Sequence, residues 1–455
     1  MALPKEIVDL LERLGSDMAS FRSNPCFLRL MELNSRLEGL SESTYAWILL
    51  YICLSLVLFL RRPDSLTNPI PHNEDGTVFL RQALLHSYSS LFMTYQGYLH
   101  TIPRLVTLLA IQFGLKNAPF IMNLFALLIT VASISYLFSK DFRFLIRNDF
   151  LRFITAILIV CMPIPEIINA LFNIQWILSI YLILWTTNLI FGSGSTNLAK
   201  TIFAVLGFLT CAMGVILLPA LAWFIYKSRS ISVSVVFFIS ALTNLFYFSI
   251  RSAMDHIYIN PVGIIIFIST QIFTSFYYIH VSSFVEQYGY ISTYMISIAT
   301  IVIIIYYSKD DRTVVGWIAY LIIAYVFLIA FTRPNYMNFM DGYYIYEGLR
   351  YSFIPLCLIL ILCIMNLKNR NYLMYIILFI FLINIATNYS IPIMGISIIK
   401  QTLKNTTGRE NATALFLYIR LDGPSRCHAI AAFQRLSAGK IMPLHSPGRA
   451  STMKH

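Results

Sequence analysis

Apolar runs of close to 20 residues recur along this sequence and constrain its fold more than any other feature. The first run extends from Thr44 to Leu60, and helices of this length can cross roughly 30 Å of hydrocarbon. The chain is 58% hydrophobic and 12% charged, whereas ordinary soluble domains are about a quarter charged. The first run has no small-residue cleavage site, which is typical of an anchor and not of a cleaved signal. We therefore predict an all-α, polytopic integral membrane protein.

Some of these apolar runs are interrupted. The run 201–226 contains Gly207, Gly214 and Pro219, which favours a broken or re-entrant helical pair. The runs 99–115 and 261–285 carry polar residues and could be spans or helices that lie in the interface. The remaining runs are predicted to cross the membrane: 44–60, 118–138, 151–163, 172–191, 231–250, 289–307, 314–331, 351–366 and 371–390.

Basic clusters between the apolar runs predict the sidedness. They share one side if 201–226 is a hairpin and both 99–115 and 261–285 are interfacial, which gives about 11 transmembrane helices with interfacial helices in the first outer loop. The clusters are Lys140/Arg143/Arg147/Arg152, Lys227/Arg229, Lys309/Arg312 and Lys368/Arg370. The other side then receives the polar segments 61–117, the turn around Glu166, 251–288, 332–350 and the C-terminal tail.

The chain divides into three regions by composition. Residues 1–43 are polar with an amphipathic pattern and are predicted to be a cytoplasmic N-terminal segment. Residues 44–390 form the membrane domain. Residues 391–455 are predicted to be a polar, disordered tail without a chemical role. We expect a multi-pass inner (plasma) membrane protein whose carboxylate-rich and aromatic segments face the periplasm or exterior.

Composition and motifs exclude several functions. The net charge of +12 comes from clusters between spans, a pattern of membrane topology and anionic lipid, so we expect no nucleic-acid partner. The cysteines form no C-x-x-C pair, so no zinc or redox motif is supported. The sequence has no P-loop, no H-E-x-x-H and no G-x-S-x-G. The sequence therefore does not favour a cytosolic nucleotide-driven enzyme or pump. No cofactor is predicted with certainty.

An acidic pair stands in the long polar stretch after the first run. Asp75 and Glu74 follow Pro71 and precede Gly76, which predicts a turn. A carboxylate near a bilayer surface can accept a proton from an attacking hydroxyl or hold a divalent cation. The alternative is a solvated, turn-favouring pair.

Three further groups of polar and aromatic residues follow. In the first, Tyr98 and His100 precede Arg104, and aromatics stack on sugars while arginine matches phosphate. An interfacial aromatic belt with a snorkelling arginine is the alternative. The other candidates lie at predicted span starts on the outer face, where buried polar groups are costly unless satisfied: Glu166, Gln175, Trp176, Arg350 and Tyr351.

Together these segments resemble a known class of enzymes. The relevant motifs are Glu74-Asp75-Gly76, Gly97-Tyr98-Leu99-His100 with Pro103-Arg104, Asn173-Ile174-Gln175-Trp176, and Arg350-Tyr351-Ser352-Phe353-Ile354-Pro355. In their order and topology they resemble the GT-C glycosyltransferases, a class that includes the prophage-type O-antigen glucosyltransferases. The resemblance covers roughly residues 44–390, and each motif is short.

The resemblance implies a GT-C-like fold and a hexosyltransferase. It would move a hexosyl group, glucosyl by the resemblance, from a polyprenyl-phosphate donor to a lipid-linked or envelope polysaccharide such as O-antigen, on the extracytoplasmic face. Asp75 would be catalytic with Glu74 beside it, and Arg104 and Arg350 would bind the donor phosphate. The chain lacks the large soluble C-terminal domain of several members, so membrane-embedded loops must recognise the acceptor.

Three other functions stay open at this point. A flippase for lipid-linked oligosaccharides, or another polysaccharide transporter, needs buried cations in its spans, and few are present. An O-antigen polymerase usually has a large late outer loop, whereas 332–350 is modest. A membrane scaffold without catalysis would tolerate the loss of Asp75 and Arg104.

Overall fold

The chain folds as an all-helical bundle, and no β-strand occurs in the described part. The computed structural model describes residues 39–71, 74–95, 99–162, 164, 167–194, 196–211, 214–252, 312–332 and 349–367, with isolated positions near 300 and 380. The α-helices are α1 Thr44–Arg61, α2 Asp64–Thr67, α3 Arg81–His86, α4 Thr101–Gln112, α5 Ala118–Ser135, α6 Asp149–Cys161, α7 Ile174–Phe191, α8 Leu198–Phe208, α9 Gly214–Ser228, α10 Ile231–Ser252, α11 Arg312–Thr332 and α12 Phe353–Asn366.

Within the described ranges, helices lie where the apolar runs predict them. The interrupted run 201–226 is two helices, α8 and α9, as its glycines and proline predict. The run 99–115 contains the short helix α4. Several predictions fall outside the described residues or on only isolated positions in them: most of the segment 1–43, the runs 261–285, 289–307 and 371–390, and the tail 391–455.

Four helices of the described part are long and apolar enough to cross a membrane. They are Thr44–Arg61, Ala118–Phe138, Ile174–Phe191 and Arg312–Ile329. Shorter apolar helices accompany them, among them α4, α8 and α9. The predicted membrane character agrees with these helices, whereas the predicted count of about 11 spans exceeds the four that length and composition identify here.

Helix α1 shows why such a chain needs an apolar surrounding. Ala46, Leu50, Leu54 and Leu58 recur every fourth residue and are buried against the bundle. Its opposite face exposes large apolar side chains: Tyr45, Leu49, Ile52, Leu56 and Leu60. Since water would penalise that face and lipid would not, the pattern is that of a helix at the bundle perimeter.

Helix α7 is the centre of the bundle. Every residue from Ile174 to Leu189 is buried, and α7 packs against α5, α8, α9 and α12. A helix that is apolar on all sides can be stable only when other elements surround it. Its first residues therefore bring polar groups to a dry position, which is where the candidate site begins.

Polar contacts define the two ends of the bundle. At one end, Arg61 donates to the carbonyl of Met162 at 2.7 Å, just after α6. At the other, the Ser41 N–H donates to Asp149, the first residue of α6, at 2.8 Å. Helices α1 and α6 therefore run in the same direction. We call the end with Arg61 the site end and the end with Asp149 the far end.

Candidate functional site

Asp75 begins an irregular helical segment at the site end. Residues Asp75–Leu80 form a π-helical turn that continues into α3. Such turns are rare in proteins, and those that occur are often found at functional sites. A Cβ on Gly76 would lie 3.1 Å from the Pro71 Cβ, so glycine permits this close packing. The prediction of a turn at Asp75 was wrong. The residue opens a helix and is buried, because the chain folds back against the start of α7.

Backbone amides hold the Asp75 carboxylate. The Phe172 N–H donates to Oδ1 at 2.7 Å and the Leu171 N–H donates to Oδ2 at 3.2 Å. Asp75 is 1% exposed. Burial raises its pKa to about 7, although both N–H groups and the charge of Arg62 act in the opposite direction. Glu74, which is half-buried, adds to the rise. A carboxyl with such a pKa can exchange a proton near neutral pH.

A cluster of aromatic rings packs beside this carboxylate. The N–H of Phe172 binds Asp75, and the ring of the same residue stacks on His100 with centroids 5.8 Å apart. Phe79, one helical turn after Asp75, lies 5.4 Å from the His100 ring and 6.3 Å from the Tyr95 ring. His100 has a left-handed backbone, with a φ of 51°, which directs the chain into α4. The cluster therefore connects the first polar stretch to the start of α7.

Arg104 lies on the other side of this cluster. Its guanidinium carbon is 5.4 Å from the Phe79 ring centroid. Nε donates to the Leu99 carbonyl and one terminal nitrogen donates to Gln82 Oε1, both at 2.8 Å. The other terminal nitrogen is buried and has no hydrogen-bond partner in the part of the chain that the structure describes, and the residue is 1% exposed. A dry guanidinium with an unused N–H group is well suited to an anionic oxygen.

The candidates on α7 and before α12 form a second group. The Trp176 and Tyr351 rings meet edge to face at 5.2 Å, and the Arg350 guanidinium lies 5.3 Å from the Tyr351 centroid. Gln175 is buried on the same turn of α7. Phe172 lies in the turn just before α7 and Trp176 lies in the first turn of α7, so the two groups are close in sequence at this end of the helix. The structure thus joins Asp75, His100 and Arg104 in one cluster and Trp176, Tyr351 and Arg350 in another.

Two of the predicted site residues lie outside the described residues. These are Tyr98 and Glu166. The described residues contain no group of three or more histidine, cysteine, aspartate or glutamate side chains suited to a metal ion.

Some residues of the site were missed by sequence reasoning. Phe79 could have been found, since it lies four residues after Asp75 and so on the same helical face. Gln82 could also have been found, because it is an amide side chain in the same polar stretch as Asp75. The N–H groups of Leu171 and Phe172 leave no trace in sequence, because every residue but proline has one.

A second buried carboxylate, Asp149, lies at the far end. Arg152 and Arg143 pair with it, the latter at 3.2 Å, and the Ser41 hydroxyl donates to it at 2.8 Å. Burial alone would raise the pKa of Asp149, but the hydrogen bonds from Arg143 and Ser41 and the charge of Arg152 hold it well below its usual value. This carboxylate stays charged and fastens the start of α1 to α6.

Comparison with protein-family models, with curated proteins and with solved structures finds no match for this chain.

Proposed function

We propose that this chain is a membrane hexosyltransferase. It transfers a hexosyl group, by resemblance a glucosyl group, from a polyprenyl-phosphate donor to a lipid-linked or envelope polysaccharide such as O-antigen, on the extracytoplasmic face of the inner membrane. The observation that carries the proposal is Asp75, a buried carboxyl with a pKa raised to about 7 and held by two backbone N–H groups.

The reaction needs a base for the acceptor hydroxyl. Asp75 is the proposed base, because a carboxylate with a pKa near the working pH both exists in its charged form and accepts a proton readily. The acceptor oxygen would bond to the anomeric carbon as its proton passes to Asp75. The bond from the anomeric carbon to the phosphate oxygen would break, and the polyprenyl phosphate would leave with the electron pair. Without a covalent intermediate this displacement inverts the anomeric centre, and the product anomer seen by NMR tests that point.

The leaving phosphate needs a cation in a dry setting. Arg104 would meet this need, since it is buried, is positively charged and has an N–H group to which no described residue provides an acceptor. Arg350 is a second candidate on the separate aromatic group of Trp176 and Tyr351. The apolar perimeter of the bundle would accommodate the prenyl chain.

The test is a transfer assay with purified protein in lipid. Wild type and Asp75→Asn receive a polyprenyl-phosphate hexose and a lipid-linked acceptor, and transferred sugar is measured. We expect the variant to lose about 10²- to 10⁴-fold in rate, the usual contribution of a general base. Glu42→Gln is the control, an exposed carboxylate at the far end of the bundle, and it should transfer at the wild-type rate.

The outcomes separate the alternatives. Equal rates for wild type and Asp75→Asn would end the catalytic role of Asp75 and favour a polymerase with a different base or a scaffold. No transfer by either protein, with several donors tried, would favour the flippase, which a lipid-linked sugar translocation assay in vesicles would then detect.

A further inference from the structure

Arg62 is a buried cation beside the site that the reaction scheme above does not use. It caps the end of α1 and is 8% exposed. One terminal nitrogen donates to the Ile168 carbonyl at 3.0 Å. Its Nε is buried and has no hydrogen-bond partner among the described residues. Retaining an incompletely bonded guanidinium in a dry place is costly unless its charge is used.

The segment that Arg62 holds is the one that binds Asp75. Ile168 lies three residues before Leu171, whose N–H, with that of Phe172, donates to the carboxylate. Asn169 fixes the same segment, since its side-chain amide donates to the Leu58 carbonyl at 3.2 Å and to Ser65 Oγ at 3.0 Å. Its left-handed backbone, with a φ of 50°, turns the chain there. The end of α1 therefore fixes the two amides that hold Asp75.

The charge of Arg62 also acts on the carboxylate. Among the described residues, the charge of Arg62 favours the charged form of Asp75 and that of Glu74 opposes it. Asp64 acts on Arg62 in turn. The His100 ring stacks on Phe172, the residue whose N–H donates to Asp75. Arg62 thus acts on Asp75 both through its charge and through the backbone segment it holds.

We propose that Arg62 is a positioning residue for Asp75. It holds the amides of residues 171 and 172 in place and supplies a buried positive charge that favours the charged form of the carboxylate. Its role in turnover rests on the proposed function, whereas its effect on the carboxyl is a property of the folded protein alone.

The test is a titration of the Asp75 carboxyl by infrared difference spectroscopy in lipid nanodiscs. The band of the protonated carboxyl is assigned by its loss in Asp75→Asn. Arg62→Gln removes the charge and keeps an amide donor. We expect it to raise the titration midpoint by about one pH unit, since a nearby opposite charge typically lowers a carboxyl pKa by about that much or more. Arg62→Lys keeps the charge, and we expect its midpoint to stay within about half a unit of wild type.

Asn169→Ala is the structural control, because it loosens the same segment without removing a charge. A midpoint that moves no more in Arg62→Gln than in Asn169→Ala overturns the proposal. If Arg62→Gln does not fold, the test uses Arg62→Lys. A titration midpoint of Asp75 that rises by a full pH unit in Arg62→Lys, which keeps the positive charge, contradicts the role of charge. Wild type that shows the expected titration but no sugar transfer refutes the proposed function and leaves the role of Arg62 standing.

Discussion

The two ends of the bundle each bury an aspartate, and they treat it in opposite ways. At the far end, Asp149 is surrounded by Arg143, Arg152 and Ser41. At the site end, the hydrogen-bond partners of Asp75 among the described residues are two backbone N–H groups. The pKa of Asp149 is held well below its usual value, and that of Asp75 is raised to about 7.

The difference separates a structural carboxylate from one that is ready to react. Asp149 is compensated by opposite charge, so removing it leaves cations buried and unpaired. Asp75 bears a desolvation penalty that only weak partners offset, so its charged form is held at high energy. Such a raised pKa is typical of functional carboxylates. A carboxylate paired with a cation has a lowered pKa and is therefore a poor base.

The largest expected effect concerns stability. Asp149→Asn leaves the fully buried Arg152 side chain without its oppositely charged partner, and we expect a loss of about 3–5 kcal/mol in the free energy of unfolding. Asp75→Asn keeps the side-chain shape and one acceptor oxygen but leaves one of the two backbone N–H groups without an acceptor, so its loss should be smaller, about 1–3 kcal/mol. Denaturant unfolding in detergent measures both. Glu42→Gln, at the exposed edge of the Asp149 cluster, is the control, and equal losses at the two aspartates would contradict the comparison.

The pH dependence of stability should have opposite signs at the two ends. Asp75 has a raised pKa, so the folded state binds its proton more tightly than the unfolded state, and stability falls as pH rises from about 4 to about 7. Asp149 has a lowered pKa, so its contribution is present above about pH 4 and is lost as pH falls through its low folded value. Thermal unfolding of wild type and Asp75→Asn across this range measures the first effect. Parallel curves for the two proteins would remove Asp75 from the account.

Arg104 should matter less than Asp75 and mainly for donor binding. Arg104→Lys keeps the charge but loses the fork that reaches Leu99, Gln82 and the proposed phosphate. We expect the KM for the polyprenyl-phosphate donor to rise about tenfold to a hundredfold, the value of one or two charge-assisted hydrogen bonds. Initial rates at varied donor give this number. Arg81→Lys, half-buried on the same polar stretch, should leave KM unchanged.

The smallest effect is expected at Gly76. The added Cβ of Gly76→Ala would lie 3.1 Å from the Pro71 Cβ, so Pro71 must move by a few tenths of an ångström. We expect a loss of stability of about 1 kcal/mol or less and a few-fold lower transfer rate, because Asp75 is the adjacent residue. Unchanged transfer would mean that the π-helical turn does not position Asp75.

The sequence predicted the helices well because their signal is local. The run from Thr44 to Leu60 became the helix Thr44–Arg61, and the glycines and proline of 201–226 correctly indicated a broken pair. A run of apolar side chains folds as a helix in lipid whatever its neighbours, since only a helix satisfies its own backbone.

The site was only partly predictable because it depends on contacts distant in sequence. Asp75, His100 and Arg104 were named from residue type and spacing, and they do fall in one cluster. The burial of Asp75 was not predicted, since it arises when residue 75 meets the amides of residues 171 and 172, almost a hundred positions away. Arg62 was missed for the same reason, because its meaning comes from Ile168.

The most direct test of the central claim is the pH–rate profile of hexosyl transfer. If Asp75 is the base, the wild-type rate rises with pH through a midpoint near its pKa of about 7, because only the charged carboxylate accepts the acceptor's proton. The residual activity of Asp75→Asn should lack that rise. A wild-type transfer rate that stays constant from about pH 5.5 to about pH 8.5, a window of about three pH units around that midpoint, would contradict the assignment of Asp75 as the base.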